Sequence, residues 1–149
     1  MLTDRQIVLV EQSFRSVSPM ADEVARRFYV HLFQIDPSAR VLFAGTFMSV
    51  QRRKLMAALG AIVSGLRFMD EIRPMLESFG ARHAEYGVIP PHYDSVRTAL
   101  LAALRATLGE ALDAETEAAW AAAYTEVAAI MQEGAVAGSP ATLETLRDT

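Results

Sequence analysis

The chain has 149 residues, 52% of them hydrophobic, which is enough apolar material for one packed domain. Its formal charge of -4 argues against a nucleic-acid partner, and the absence of cysteine excludes disulfides, thiolate metal sites and cysteine nucleophiles. Any metal must be held by histidine or carboxylate.

The first residues, Met1 to Gln6, lack the basic start and apolar stretch of an export signal, so a cytoplasmic location is expected. The longest strongly apolar stretch, residues 55–63, falls well short of the ~20 residues needed to cross a bilayer, and Gly60 interrupts it. No membrane association is expected.

Helical punctuation recurs along the chain and alternating strand patterns do not, which predicts an all-α fold. Thr3 and Gln6 have the spacing of a capping box, opening a first helix through Ile7, Val10 and Phe14 that ends near Ser16 or Val17. Ser18-Pro19 reads as a capping hydroxyl before a first-turn proline, followed by Val24, Phe28, Leu32 and Ile35 at helical spacing. Asp36-Pro37 breaks the chain again and starts a short turn toward Phe43, and Gly45 and Thr46 end it. An apolar face through Leu55, Leu59 and Ile62 predicts a third long helix from Met48 to about Leu66.

Asp70 is the expected cap of the next helix, with Pro74 in or just before its first turn and an apolar face through Leu76 and Phe79 to His83; Gly87 stops it. After Pro90-Pro91 a long helix carries Tyr93, Val96, Leu100 and Leu104 to Gly109. Asp113 caps a last helix past Trp120, Tyr124, Val127 and Met131. The expected organisation is one domain over residues 1–134 and a flexible tail over 135–149.

Three polar residues lie where the helical pattern asks for apolar ones. His83 follows Leu76 and Phe79 at i, i+3 and i+7, so its ring is expected to be buried, as a hydrogen-bonded core histidine or as a metal ligand. Gln51 shares a face with Leu55, Ala58 and Ile62, and Tyr29 with Leu32 and Phe33. Burying the amide unpaired would cost about 1–3 kcal/mol, so both side chains need partners. His31 points away from Tyr29 and His92 opens a helix; both are expected to touch solvent.

The set as a whole resembles the globin family, most closely the bacterial single-domain haemoglobins related to the globin half of flavohaemoglobins. The likeness runs over residues 2–131. Phe28-Tyr29 with Leu32-Phe33 matches the second-helix motif, Asp36-Pro37 the following corner, and Val41-Leu42-Phe43 the phenylalanine that packs on the haem. Gln51 with Arg53-Lys54-Leu55 matches the distal helix, and Arg82-His83-Ala84-Glu85-Tyr86-Gly87-Val88 the proximal segment. His92-Tyr93 and the run from Ala119-Trp120 to Tyr124 follow at the usual distances.

The resemblance implies a globin fold, with helices packed three-over-three around a haem pocket, and one haem b per chain with His83 as the iron ligand. Tyr29 and Gln51 would face the bound gas, Tyr29 as main donor to oxygen and Gln51 supporting it or bonding to the tyrosine. Phe43, Leu55 and Phe79 would pack on the macrocycle, Val88 and Val96 would line the proximal side, and Lys54 or Arg82 would pair with a propionate. One departure stands out. Many relatives place an acidic residue in the last helix that joins a tyrosine matching Tyr93 to the proximal histidine, whereas the corresponding position here is Ala135 and Glu133 points about 200° away.

The implied function is reversible oxygen binding and reaction with nitric oxide to give nitrate, with electrons from a separate reductase. The alternatives are a non-catalytic oxygen carrier, store or sensor. Oxygen, nitric oxide, other diatomic ligands and an external electron donor are the expected partners, and the protein is expected to be a monomer or homodimer.

Overall fold

In the computed structural model, which describes residues 1–137, six α-helices follow in order: α1 Asp4–Val17, α2 Ala21–Ile35, α3 Met48–Gly65, α4 Met69–Glu85, α5 Pro90–Leu108 and α6 Ala114–Ala137. Short 3-10 turns join them at Ser18–Met20, Pro37–Phe43, Leu66–Phe68 and Gly109–Ala111. Packing runs from α1 through α3 to α4 in one layer and from α2 through α5 to α6 in the other; α4 on α6, α1 on α6 and α2 on α3 join the layers. This is the three-over-three all-α arrangement expected. Among the described residues no helix is long and apolar enough to cross a membrane.

Several boundaries follow from local hydrogen bonds. The Thr3 hydroxyl accepts from the Gln6 N–H at 3.1 Å while the Gln6 side chain accepts from the Thr3 N–H at 2.9 Å, satisfying two donors that a helix start leaves free. Asp36 accepts from the Ser38 N–H at 3.2 Å and, with its other oxygen, from the Ser95 hydroxyl at 3.0 Å, so the corner after α2 is tied to α5. Asp113 accepts from the Thr116 N–H at 2.8 Å at the head of α6. Gly87 and Gly109 take φ of +97° and +57°, the left-handed region that lets the chain leave α4 and α5.

Four local expectations need correction. Ser18 caps nothing, because Pro19 sits in the 3-10 turn and α2 begins at Ala21 without a side-chain cap. Asp70 lies inside the first turn of α4, where its charge complements the helix dipole instead of capping. Pro74 lies beyond that first turn, so α4 continues with one backbone donor missing. His92 is buried: its Nδ1 accepts from the Ile89 N–H at 3.0 Å, and the ring serves as the start signal of α5. At the far end α6 extends through Ala137, so residues 135–137 are helical; the rest of the expected tail, 138–149, lies outside the described residues.

The core is built on Val10, Val17, Val24, Leu76 and Leu104. Trp120 donates from Nε1 to the Ser13 hydroxyl at 2.8 Å, and Ser13 donates to the Leu9 carbonyl at 2.7 Å, so the polar atoms buried between α1 and α6 are paired. The closest contact between helices is that of α4 with α6. A Cβ on Gly80 would lie 1.7 Å from the Met131 carbonyl oxygen, and one on Gly134 would lie 2.2 Å from the Glu77 carbonyl oxygen. The two backbones therefore touch.

Gly80→Ala should lower stability by about 1–3 kcal/mol or more, because the obstructing atoms are main chain and cannot rotate away. Gly60→Ala, in a helix interior where the nearest atom to a new Cβ is Phe14 at 3.9 Å, should leave stability unchanged or raise it by up to about 1 kcal/mol. Urea denaturation of the two variants beside the parent measures both.

Candidate functional site

Tyr29 is carried on the buried face of α2 with Val24, Ala25, Phe28 and Leu32. Its ring meets Phe28 edge-on at 4.9 Å and Phe43 at 5.3 Å, and Phe43 in turn meets Phe33 at 5.7 Å, so the aromatic wall spans α2 and the 37–43 turn. Gln51, in the first turn of α3, donates from Nε2 to the Tyr29 hydroxyl oxygen at 3.1 Å. The direction matters. With the phenolic oxygen accepting, the phenolic hydrogen remains free for another acceptor. Burial pushes the Tyr29 hydroxyl above its ordinary value of 10, against a smaller opposing effect of the Gln51 hydrogen bond, so the group stays a donor at neutral pH. Leu55, one turn along α3, is half-buried on the same core.

His83 stands near the end of α4. Its Nδ1 lies 2.6 Å from the Phe79 carbonyl oxygen, four residues earlier. A carbonyl only accepts, so Nδ1 carries the hydrogen and the lone pair sits on Nε2. The expectation that the ring is buried fails: along its stripe Leu76 is fully buried, Phe79 is half-buried and His83 is exposed. Helical phase fixes the direction in which a side chain faces, not whether protein atoms fill the space ahead of it.

Val88 is half-buried and its N–H donates to the His83 carbonyl at 2.9 Å, closing the end of α4. At Gly87 a Cβ would stand 3.4 Å from Leu42, so this corner abuts the turn that bears Phe43. Val96 and Phe79 pack half-buried against the core. Lys54 and Arg82 are exposed and neither meets a carboxylate among the described residues; the Arg82 guanidinium lies 5.3 Å from the centre of the Phe79 ring.

Tyr93 is buried in the first turns of α5. Its backbone carbonyl accepts from the Tyr124 hydroxyl at 2.6 Å, yet its own hydroxyl is a buried polar atom without a partner among the described residues. Glu133 is at the surface, 3.4 Å from Arg73, and Ala135 offers no acceptor at the position that would matter. The acidic link missing from the sequence is missing from the site. Burial raises the Tyr93 hydroxyl, and burial followed by the nearby Tyr93 raises that of Tyr124 further.

Among the described residues no group of three or more histidine, cysteine, aspartate or glutamate side chains comes together to hold a metal ion. The exposed His83 imidazole, whose Nε2 lone pair is left available by the bond from Nδ1 to the Phe79 carbonyl, has the donor chemistry that haem iron takes, and the exposed apolar Phe47 and Ile89 and the exposed cations Lys54 and Arg82 are of the types that fit an apolar macrocycle with anionic substituents.

The globin family profile matches residues 26–131, and the chain belongs to that family. Membership implies a haem cofactor. The chain is 30% identical over 133 residues to a flavohemoprotein of Deinococcus radiodurans, covering 88% of this chain and 33% of that protein. It is 29% identical to the anaerobic nitrite reductase NSHB5 of Oryza sativa subsp. indica, covering 88% and 94%. An engineered carbene transferase of Rhodothermus marinus has the same fold, with a TM-score of 0.83 at 22% identity over 100% of both chains. The chain thus spans about a third of the length of the flavohemoprotein it matches, and it is a globin-fold protein related to the flavohemoproteins.

Of the residues expected at the site, the structure joins Tyr29, Gln51 and Phe43 directly, and Phe79, Arg82, His83 and Val88 in a second group. The acceptor for His83 is a backbone carbonyl, which residue types do not advertise; its i−4 position was the only available signal.

Tyr29, Tyr93 and Tyr124 are all raised above 10, chiefly by burial. Below pH 10 folded and unfolded chains both hold these protons, and stability should not depend on them. Above pH 10 the unfolded chain releases protons that the folded chain retains, so stability should fall as pH rises. Urea midpoints between pH 8 and pH 11.5 measure this, and Tyr124→Phe should make the decline shallower.

Proposed function

We propose that this chain is a haem-binding globin of the flavohaemoglobin-related group, in which His83 would hold haem iron and Tyr29 and Gln51 would govern bound oxygen. Haem, when bound, supplies a ferrous iron able to bind dioxygen and, with nitric oxide and one electron, to return nitrate. The electron comes from a flavin- or nicotinamide-dependent reductase. The observation that carries the reading is the Gln51 to Tyr29 hydrogen bond, which orients the phenol and leaves its hydrogen to donate.

Each residue then has a physical task. The Phe79 carbonyl keeps hydrogen on Nδ1 of His83 and presents Nε2 to the metal. Tyr29 gives its hydrogen to a ligand that gains negative charge, favouring oxygen over a neutral ligand such as carbon monoxide. Gln51 holds the phenol in place. Phe43, Leu55, Phe79, Val88 and Val96 exclude water and support the ring, and Lys54 and Arg82 supply cations for propionates. The likeness to flavohemoproteins supports nitric oxide as co-substrate.

A second reading, an oxygen carrier or store, draws support from Ala135 and from the Tyr93 hydroxyl, which has no partner among the described residues. With only a backbone carbonyl facing Nδ1, the imidazole is a weaker electron donor than one paired to a carboxylate.

His83→Ala should abolish or greatly weaken haem binding; full occupancy with an unchanged Soret band would refute the ligand assignment. Tyr29→Phe should speed oxygen release by about 10- to 100-fold, the worth of one hydrogen bond to a charged acceptor. Stopped-flow oxygen release measures this. Mixing the oxygenated protein with nitric oxide, with and without a reductase, separates the two readings: many nitrates per haem mark an enzyme, and one per haem marks a carrier that reacts once.

A further inference from the structure

We propose that the pocket outside Tyr29, between α2, the 37–43 turn and α3, binds a small planar oxyanion of nitrogen, nitrate or nitrite. The pocket measures about 320 Å³ and is lined by Arg26, Tyr29, Val30, Phe33, Arg40 and Arg52 among others. A second of about 390 Å³ shares Phe33, Arg40 and Met48 and continues along the turn, so Arg40 stands where the two meet.

The charges around the pocket do not cancel. Arg26 pairs with Glu23 at 2.7 Å and Arg52 with Asp22 at 2.7 Å, and Glu23 is shared with Arg27 at 2.9 Å. Neither carboxylate lines the pocket. Arg40 has no carboxylate partner among the described residues; its guanidinium lies 4.9 Å from the centre of the Phe33 ring. Three guanidinium groups thus line the pocket against two carboxylates, while Arg27, which shares Glu23, donates to the Ala106 carbonyl on α5. The imbalance is local: residues 22–54 hold six of the 14 basic side chains and three of the 18 acidic ones, in a chain of net charge -4. An anion is drawn to this face of an otherwise acidic protein.

Shape and chemistry narrow the class. Guanidinium groups present planar forks that match flat oxyanions, and Val30, Phe33 and Met48 supply apolar walls. Tyr29 belongs both to this pocket and to the gas-binding side through Gln51. An anion held here would therefore contact the residue whose phenol Gln51 orients. Nitrate would be the departing product and nitrite an arriving substrate; choosing nitrogen oxyanions rests on the nitric oxide reading above.

The test uses the ferric holoprotein with cyanide on the iron, so that added anions cannot coordinate the metal. Sodium nitrate and, separately, sodium nitrite replace sodium chloride at constant ionic strength while the arginine Nε–H resonances are followed by NMR. Saturable shifts at Arg26, Arg40 and Arg52 are expected, with Arg40→Gln weakening the tighter anion about 3- to 10-fold and Arg40→Lys falling between. The tighter of the two identifies product or substrate. Shifts that are absent or never saturate, or an unchanged affinity in Arg40→Gln, overturn the site. Turnover of nitric oxide is measured on the same preparation: binding without turnover leaves the pocket standing and removes the nitric oxide reading, whereas turnover without binding removes the pocket alone.

Discussion

The contact between α4 and α6 sets the geometry on which the rest of the molecule depends. Gly80 and Gly134 let the two backbones meet without intervening side chains, so the height of α4 on α6 is fixed by main-chain atoms. His83 follows Gly80 by less than one turn and inherits that position. Leu76, fully buried one turn before Gly80, anchors the same face. This packing also explains how α4 continues through Pro74, since tertiary contact replaces what one lost backbone bond would have supplied.

The two halves of the site are held by different means. On the Tyr29 side, two links join the same pair of helices: Arg52 to Asp22 and Gln51 to Tyr29, adjacent residues of α3 meeting positions two turns apart on α2. The first is solvent-exposed and weak, and the second is sheltered by the aromatic wall. On the histidine side, orientation comes from α4 itself through the Phe79 carbonyl, without help from α5 or α6. Side chains of two helices thus orient the Tyr29 phenol, whereas the His83 imidazole is oriented by backbone alone.

Helix starts were legible where a side chain supplies the cap, as at Thr3, Asp36 and Asp113, because capping is chemistry between near neighbours. Ser18 and Asp70 misled for the same reason: each is a suitable residue near a boundary that a 3-10 turn displaces by one to three positions. Tyr29, Gln51 and His83 were legible as polar residues on apolar faces, yet periodicity could not show that His83 faces space the protein leaves open. The Phe79 carbonyl, the burial of His92 and the gathering of Arg26, Arg40 and Arg52 depend on backbone atoms or on contacts between distant segments. Sequence spacing carries neither.

The bond between His83 and Phe79 has a further consequence. Its acceptor is a peptide carbonyl, so no side-chain substitution at position 79 can delete it, and mutational drift cannot readily retune the imidazole from that side. Change must come through a new competing acceptor brought in from another helix, and the buried Tyr93 hydroxyl, without a partner among the described residues, is a polar foothold for such a network. The electronic character of the ring is in this sense a property of the backbone, inherited with the fold.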